Sequence, residues 1–134
     1  MSCIEVFILH PEGVSDQAAL VELTNRVLRQ EGWRFKVRLI IVADAELRRL
    51  NRLFLGVDEN TDVIAFPPED GDDPWGEVYI SLDQARQQAT EADEPLHQVL
   101  NRLLVHGLLH LGGWCDDTEQ ARAEMLNYGE QYVL

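Results

Sequence analysis

Apolar positions along the chain follow two different periods. The segments 3–9 (CIEVFIL) and 35–43 (FKVRLIIVA) contain long apolar runs, which predicts strands buried in a sheet. Shorter β-branched segments at 61–67 (TDVIAFP) and 77–81 (EVYIS) predict two further strands. The acidic PPEDGDDPWG between them carries prolines and glycines, so we predict a loop there. The pattern therefore predicts about four strands.

Helical periodicity occupies much of the rest of the chain. Helices are predicted at 15–31, 45–54, 82–92, 95–111 and from about 117 onward. The first has Ala19, Leu20, Leu23, Val27 and Leu28 on one face. Gly32 is predicted to end this helix, and Asp44 to cap the second. Helices connecting strands favour an α/β (α+β) fold: one domain over residues 1–134, with a single mixed sheet of about four strands covered by about five helices.

Charge and cysteine content narrow the function classes. The formal net charge of −13 opposes non-specific binding to nucleic acid or to anionic lipid. Basic residues concentrate at 26–39 and 46–52, so a local positive patch is compatible with an RNA partner. The sequence has no apolar run long enough for a membrane span and no basic leader. We therefore expect a cytoplasmic protein in which Cys3 and Cys115 are reduced thiols.

The segment 105–117 (VHGLLHLGGWCDD) is the strongest chemical signal. His106 and His110 lie four positions apart, so on a helix both imidazoles point to the same side and can bind one ion. Metalloproteases use this layout in their HExxH motif, but Gly107 stands where that motif has its glutamate. The two glycines that follow allow the chain to turn back. Either Asp116 or Cys115 is then a candidate third ligand, with a fourth position open to water.

The same residues also allow purely structural roles. A histidine pair at this spacing occurs in helices without a metal. Asp116 with Glu119, and Asp117 with Gln120, have the spacing of a capping box, so either aspartate is a candidate cap for the last helix.

The remaining histidines are not predicted to join this site. His97 lies nine residues before His106, about half a turn around the same helix, and so faces away. His10 follows the first strand and is expected at the surface. Trp114 is either a packing residue or a base-stacking platform next to the site.

The segments LNRLF, NTDVIAFP, GEVYIS and HGLLHLGGW, in this order, resemble the YbeY family of bacterial rRNA maturation factors. The resemblance covers residues 50–134 well, and the first third agrees only in general layout. In the family pattern HGxLHLxGYDH, three histidines bind zinc. On this chain the first two ligands fall on His106 and His110 and the third on Asp116, while Trp114 and Cys115 take the tyrosine and aspartate positions. A carboxylate is an acceptable zinc ligand, so the resemblance implies Zn²⁺, with another divalent ion as the alternative.

The resemblance implies a metal-dependent single-strand endoribonuclease that acts in 16S rRNA 3′-end maturation and ribosome quality control. Its partners would be rRNA and the small ribosomal subunit or its proteins. Family members commonly carry an arginine, implicated in RNA cleavage, where this chain has Leu55. Arg52 is a candidate replacement, as are Arg48 and Arg49. The family's acidic positions fall on Asp62 and Glu77, which are candidates to line the cleft or, equally, to cap strand ends.

Two other functions remain open from the sequence. One is a non-catalytic ribosome-assembly factor with a structural metal, which the acidic charge and Leu55 favour. The other is a different metal hydrolase such as a peptidase, which the absence of the HExxH glutamate disfavours. The sequence predicts no oligomeric state.

Overall fold

Four strands and five helices make up the computed structural model, which describes residues 4–69, 71 and 74–133. The strands are β1 (Ile4–Ile8), β2 (Lys36–Val42), β3 (Val63–Phe66) and β4 (Trp75–Ser81). The helices are α1 (Gln17–Glu31), α2 (Asp44–Leu55), α3 (Leu82–Ala92), α4 (Leu96–Leu111) and α5 (Glu119–Val133). The predicted α+β fold with one mixed sheet is confirmed for these residues.

The strands form one sheet in the order β1-β2-β4-β3. β1 and β4 both run parallel to β2, with Ile4 opposite Val37 and Val37 opposite Gly76. β3 pairs antiparallel with β4 and lies at the edge of the sheet. An edge strand tolerates the prolines that follow it, because its outer N–H groups have no ladder partner.

Apolar side chains cover both faces of this sheet. One face packs against α1, α3 and α4, with α5 lying on α4, and the other, smaller cluster joins α2 to Ile40, Val42 and Ile64. β2 is buried on both faces, which explains its continuous apolar run. α4 is also surrounded, since it contacts the sheet as well as α1, α3 and α5. Little of the α4 surface is therefore exposed to solvent. His106 and His110 lie near the C-terminal end of this helix.

Two element boundaries differ from the prediction. Asp44 does not cap α2, because it is the first helical residue and Ala43 precedes it without a side-chain cap. The Asp44 carboxylate instead accepts hydrogen bonds from Ser81 Oγ at 2.6 Å and Gln84 Nε2 at 3.0 Å, which ties α2 to the start of α3. Trp75 belongs to β4 rather than to the preceding loop, since it continues the ladder opposite Lys36 on β2.

The start of α5 and the environment of His10 also differ from the prediction. Thr118 caps α5 by accepting a hydrogen bond from the Ala121 N–H at 3.0 Å, so neither Asp116 nor Asp117 caps it. The His10 side chain is only 6% exposed, which contradicts a surface position. Its Nδ1 accepts from the backbone N–H of Glu12 at 3.1 Å, and Nε2 therefore donates to the Asp83 carboxylate at 3.0 Å.

Cys115 is a free thiol, and Cys3 lies outside the described residues. No described helix has both the length and the apolar character that a bilayer span needs.

Candidate metal centre

The last turns of α4 carry two imidazoles that meet each other. The Nε2 atoms of His106 and His110 lie 3.2 Å apart, as the spacing of four residues predicts. Both side chains are mostly buried, with 16% and 27% of their surface exposed. The two nitrogens therefore form one side of a compact donor group.

The turn after α4 brings a carboxylate to the same place. The backbone N–H groups of Gly113 and Trp114 donate to the carbonyls of His110 and Leu109, both at 3.0 Å, and fold the chain back over the end of the helix. Gly113 has φ = +103°, a conformation that side chains rarely allow. The Asp116 Oδ2 atom consequently lies 3.2 Å from His110 Nε2 and 3.3 Å from His106 Nε2.

Close packing also explains the glycine that opens this turn. A Cβ atom on Gly112 would lie 2.0 Å from the ring of Trp33, so no larger residue fits there.

The spacing of the three donor atoms matches a single bound ion. Ligand atoms about 2.0 to 2.2 Å from a tetrahedral zinc ion are about 3.3 to 3.6 Å from one another. The observed separations of 3.2, 3.2 and 3.3 Å lie at the lower end of that range or about 0.1 Å below it. His106, His110 and Asp116 also form a group of possible metal ligands whose donor atoms all lie within 4.8 Å of each other.

Hydrogen bonding of His110 provides a second test of the fit. Its Nδ1 lies 3.0 Å from the carbonyl oxygen of Trp114, and a carbonyl only accepts, so Nδ1 carries the proton. In neutral His110, Nε2 then presents a lone pair to the Asp116 carboxylate, which presents lone pairs as well. Two acceptors at this distance repel unless a cation lies between them. The donor set therefore fits a metal ion, with Trp114 orienting one ligand.

Burial favours the metal-binding form of the other histidine. Desolvation, and then the charge of His110, lower the pKa of His106 below its ordinary value, although Asp116 and Asp62 act in the opposite direction. A lowered histidine pKa favours the neutral imidazole at neutral pH. Neutral imidazole is the form that binds metals.

A cleft of about 610 Å³ opens beside the three donors. The wall of this cleft also includes Leu55, Asp62, Trp114, Cys115 and Arg122. The Asp62 carboxylate accepts a hydrogen bond from Gln88 Nε2 at 2.8 Å, which holds it at the cleft. The cleft is large enough to admit a polar substrate next to the donors.

The structure brings some of the predicted site residues to this cleft and not others. Asp62 borders it. Glu77 lies on the opposite face of the sheet, beside Arg38 at 4.0 Å, because neighbouring residues of a strand point to opposite faces and Val78 faces α4. Arg52 is exposed on α2 and does not line the cleft.

The other cationic candidates are engaged elsewhere. Arg48 bonds to Asp58 at 2.9 Å and Arg49 to Glu46 at 2.6 Å. The sulfur of Cys115 is exposed, 3.8 Å from the Gly113 carbonyl, and does not belong to the donor group. Arg122 in α5 lines the cleft instead, and nothing in its spacing from the histidines predicts this.

Packing also explains why the metalloprotease base is absent. A Cβ atom on Gly107 would lie 2.6 Å from Val78 Cγ1 and 3.3 Å from Val63 Cγ2. The position after His106 therefore faces the sheet rather than the cleft, and a glutamate does not fit there.

Comparison with known proteins agrees with this site. Residues 12–134 match the family described as Endoribonuclease YbeY. The chain belongs to the YbeY family. The resemblance of its motifs to YbeY is thereby confirmed.

Individual YbeY relatives match over most of their length. The Endoribonuclease YbeY of Acholeplasma laidlawii is 31% identical over 97% of this chain and 93% of the relative. The protein of the same name from Koribacter versatilis is 40% identical over 84% of this chain and 72% of its own length. The solution structure of TM1509 from Thermotoga maritima superposes with a TM-score of 0.65 at 26% identity, covering 97% of this chain and 86% of that one. The similarity to YbeY thus extends into the amino-terminal third, where the sequence motifs indicate agreement only in general layout.

Proposed function

We propose that the protein is a metal-dependent endoribonuclease that hydrolyses single-stranded RNA. The observation that carries this proposal is the convergence of His106, His110 and Asp116 on one wall of a cleft. Membership of the YbeY family supports RNA as the substrate, since the relatives are named endoribonucleases.

We assign Zn²⁺ to His106, His110 and Asp116, with another divalent ion as the alternative. Two imidazoles and one carboxylate suit zinc, and they are also the donor set of non-haem iron sites. A bound ion of this kind polarises a phosphoryl oxygen and lowers the pKa of water. The Asp116 carboxylate partly neutralises the ion, so this acidifying effect is smaller than with three neutral histidines.

Residues of the chain supply the remaining functions in this proposal. The Trp114 carbonyl keeps His110 in the tautomer whose Nε2 faces the cleft. Asp62 is a carboxylate of the cleft wall that is not part of the donor group. We therefore assign it the role of general base, which accepts a proton from the attacking water. Gln88 holds Asp62 in place for this transfer. Glu77 and Arg52 have no part in this assignment because neither lines the cleft.

The biological role that we propose is 16S rRNA 3′-end maturation and ribosome quality control in the cytoplasm, by one domain spanning residues 1–134. The partners would be rRNA and the small ribosomal subunit or its proteins. The net charge of −13 supports docking on basic ribosomal proteins and opposes indiscriminate RNA binding.

The test is cleavage of matched single-stranded and double-stranded RNAs by the purified, zinc-loaded protein. We expect cleavage of the single strand and its loss in His110→Ala, while His97→Ala, an exposed change on the same helix, keeps wild-type activity. No cleavage by the wild type loaded with zinc, manganese or iron, or equal cleavage by both variants, would overturn the proposal.

A non-catalytic assembly factor is the second candidate, and one observation favours it. Leu53, Phe54 and Leu55 at the end of α2 are all large, apolar and 58–64% exposed, which is typical of a protein-binding surface. If His110→Ala stays folded and still supports ribosome maturation in cells, the role does not depend on catalysis at the metal centre, and this candidate is favoured over the nuclease. The crowded position of Gly107 disfavours a peptidase with an HExxH-type base.

A further inference from the structure

Arg122 is an unpaired cation on the wall of the metal cleft. Its guanidinium has no hydrogen-bond or ion-pair partner within the part of the chain that the structure describes. The chain has 24 acidic and 11 basic residues, so an arginine readily finds a carboxylate. Most of the other arginines have a partner, namely Arg26, Arg38, Arg48, Arg49, Arg86 and Arg102. Arg29, Arg34 and Arg52 also lack a side-chain partner among the described residues, but none of them lines the metal cleft, so the combination of an unpaired charge and a place at the cleft is particular to Arg122.

Backbone hydrogen bonds fix the position of the Arg122 main chain, from which its side chain extends. Its N–H donates to the carbonyl of Thr118 at 2.9 Å, and the Thr118 side chain caps the same turn through Ala121. Thr118 follows Asp116 by two residues, so one short segment places both the carboxylate donor and the arginine at the cleft. The position of Arg122 is thus coupled to that of the donor group.

Helix stability does not account for an arginine at this position. Arg122 lies in the first turn of α5, where the positive end of the helix dipole disfavours a cation. Its side chain is exposed and makes no ion pair that would offset this effect.

Among the described residues that line the cleft, Arg122 is the single lysine or arginine. On the α2 side the wall carries Leu55, and the nearby Arg48 and Arg49 bond to acidic side chains of their own segment. Asp62 and Asp116 make the remainder of the wall negative. A phosphodiester that enters this cleft therefore meets two carboxylates and one cation.

We propose that Arg122 binds a non-bridging phosphate oxygen of the RNA strand held in the metal cleft. This inference rests on the proposed nuclease function and adds a substrate contact to it. A guanidinium presents two parallel N–H donors that match two oxygens of one phosphate, and its charge offsets the repulsion from Asp62 and Asp116. The cation of this cleft thus comes from α5 rather than from α2.

The experiment compares Arg122→Gln and Arg122→Lys with Arg29→Gln. Arg29 is an exposed arginine of α1 that lines a different depression, so its variant removes the same charge away from the cleft. Binding of a fluorescein-labelled single-stranded RNA to zinc-loaded protein is followed by stopped-flow anisotropy before cleavage, and again in chelator. Zinc content and melting temperature are measured for every variant.

We expect Arg122→Gln to weaken RNA binding about tenfold and to reduce the slope of log K against log salt by about 0.7, the value for one phosphate contact on a single strand. Arg122→Lys should recover the salt slope but not the full affinity, because it keeps the charge and loses the paired donors. In steady-state cleavage, Arg122→Gln should raise KM more than it lowers kcat. Arg29→Gln should match the wild type throughout.

The outcomes separate this inference from the proposed function. If the wild type binds and cleaves RNA while Arg122→Gln behaves like Arg29→Gln, the inference is wrong and the nuclease function stands. A loss of zinc or a lower melting temperature in Arg122→Gln would show a structural role and also overturn it. If the wild type neither binds nor cleaves RNA, both proposals fail.

Discussion

At the scale of single residues, the metal centre depends on which atoms carry protons. The Trp114 carbonyl directs a proton to Nδ1 of His110, so Nε2 of the neutral imidazole faces the donor group, and burial lowers the pKa of His106, which favours its neutral form. Asp116 adds an anionic oxygen to the two neutral nitrogens. A divalent cation resolves the repulsion within this set.

Asp116→Ala should abolish stoichiometric zinc binding, because it removes the one oxygen donor from the group. Cys115→Ala is the matched control next to it in the chain, and it should retain about one ion per chain. Metal content after dialysis, measured by mass spectrometry, gives the answer. Loss of zinc in the cysteine variant alone would assign the third ligand to the sulfur.

The Asp83 carboxyl should make the free energy of unfolding depend on pH in the acidic range. The N–H of Asp44, and then the hydrogen bond from His10, lower the pKa of the Asp83 carboxyl, with burial acting weakly in the opposite direction. A carboxyl with a lowered folded pKa stabilises the fold above its unfolded value of about 3.9, and this stabilisation is lost as the pH falls through the folded pKa.

Asp83→Asn should therefore reduce the free energy of unfolding by about 1 kcal/mol at neutral pH, a value that allows for solvent screening of a side chain that is 40% exposed. The difference from the wild type should be constant well above about pH 3.9 and should shrink as the pH falls below that value and through the lowered folded pKa of Asp83. Urea denaturation across this pH range measures it, with Glu22→Gln on the exposed side of α1 as control. A difference that does not change with pH would contradict the assignment.

At the scale of elements, the contact between α4 and the sheet sets the position of the histidines. Gly107 allows α4 to approach β4 and β3 so closely that a methyl group would overlap Val78. The same close approach places His106 and His110 beside Asp62 at the start of β3.

Gly107→Ala should lower the free energy of unfolding by about 1 to 3 kcal/mol through overpacking, and should weaken zinc binding by displacing His106. Adding Val78→Ala creates the missing space, so the double variant should be less destabilised than the sum of the single changes. Urea denaturation of the four proteins gives the coupling. Simple additivity would show that the methyl group is accommodated elsewhere.

At the scale of the whole molecule, a bound ion would link α4 to the segment that leads into α5. α5 packs on α4 through residues such as Met125 and Tyr132, and Tyr128 stacks on Trp114 at 4.7 Å. An ion held by His106, His110 and Asp116 would therefore stabilise the native state beyond the site itself.

Zinc at about 100 times its dissociation constant should stabilise the wild type by about 2.7 kcal/mol. For a domain of this size that corresponds to roughly 10 °C in melting temperature. Calorimetry with zinc and with chelator measures the difference. His106→Ala should show no such difference, and an equal response in that variant would place zinc at another site.

Local properties of the sequence determined the class of fold and the pair of histidines at the centre of the candidate metal site. The periods of apolar residues in β2 and α4 depend on neighbours in the chain, so they predicted the strands, the helices and the mixed sheet. The pairing of His106 with His110 follows from helix geometry alone. The motifs of residues 50–134 identified the YbeY family for the same reason, since each lies within one continuous segment.

Only the tertiary structure decided which residues distant in the sequence lie next to the two histidines. Whether Asp62 or Glu77 borders the cleft depends on the side of the sheet that each faces, and the sequence does not show which side packs against α4. The predicted cap at Asp44 is wrong because its actual partners, Ser81 and Gln84, are 37 and 40 residues away and leave no local signal in the sequence. Arg122 lies at the cleft because the turn after α4 directs the start of α5 toward it. The course of that turn depends on packing between elements rather than on any local sequence pattern.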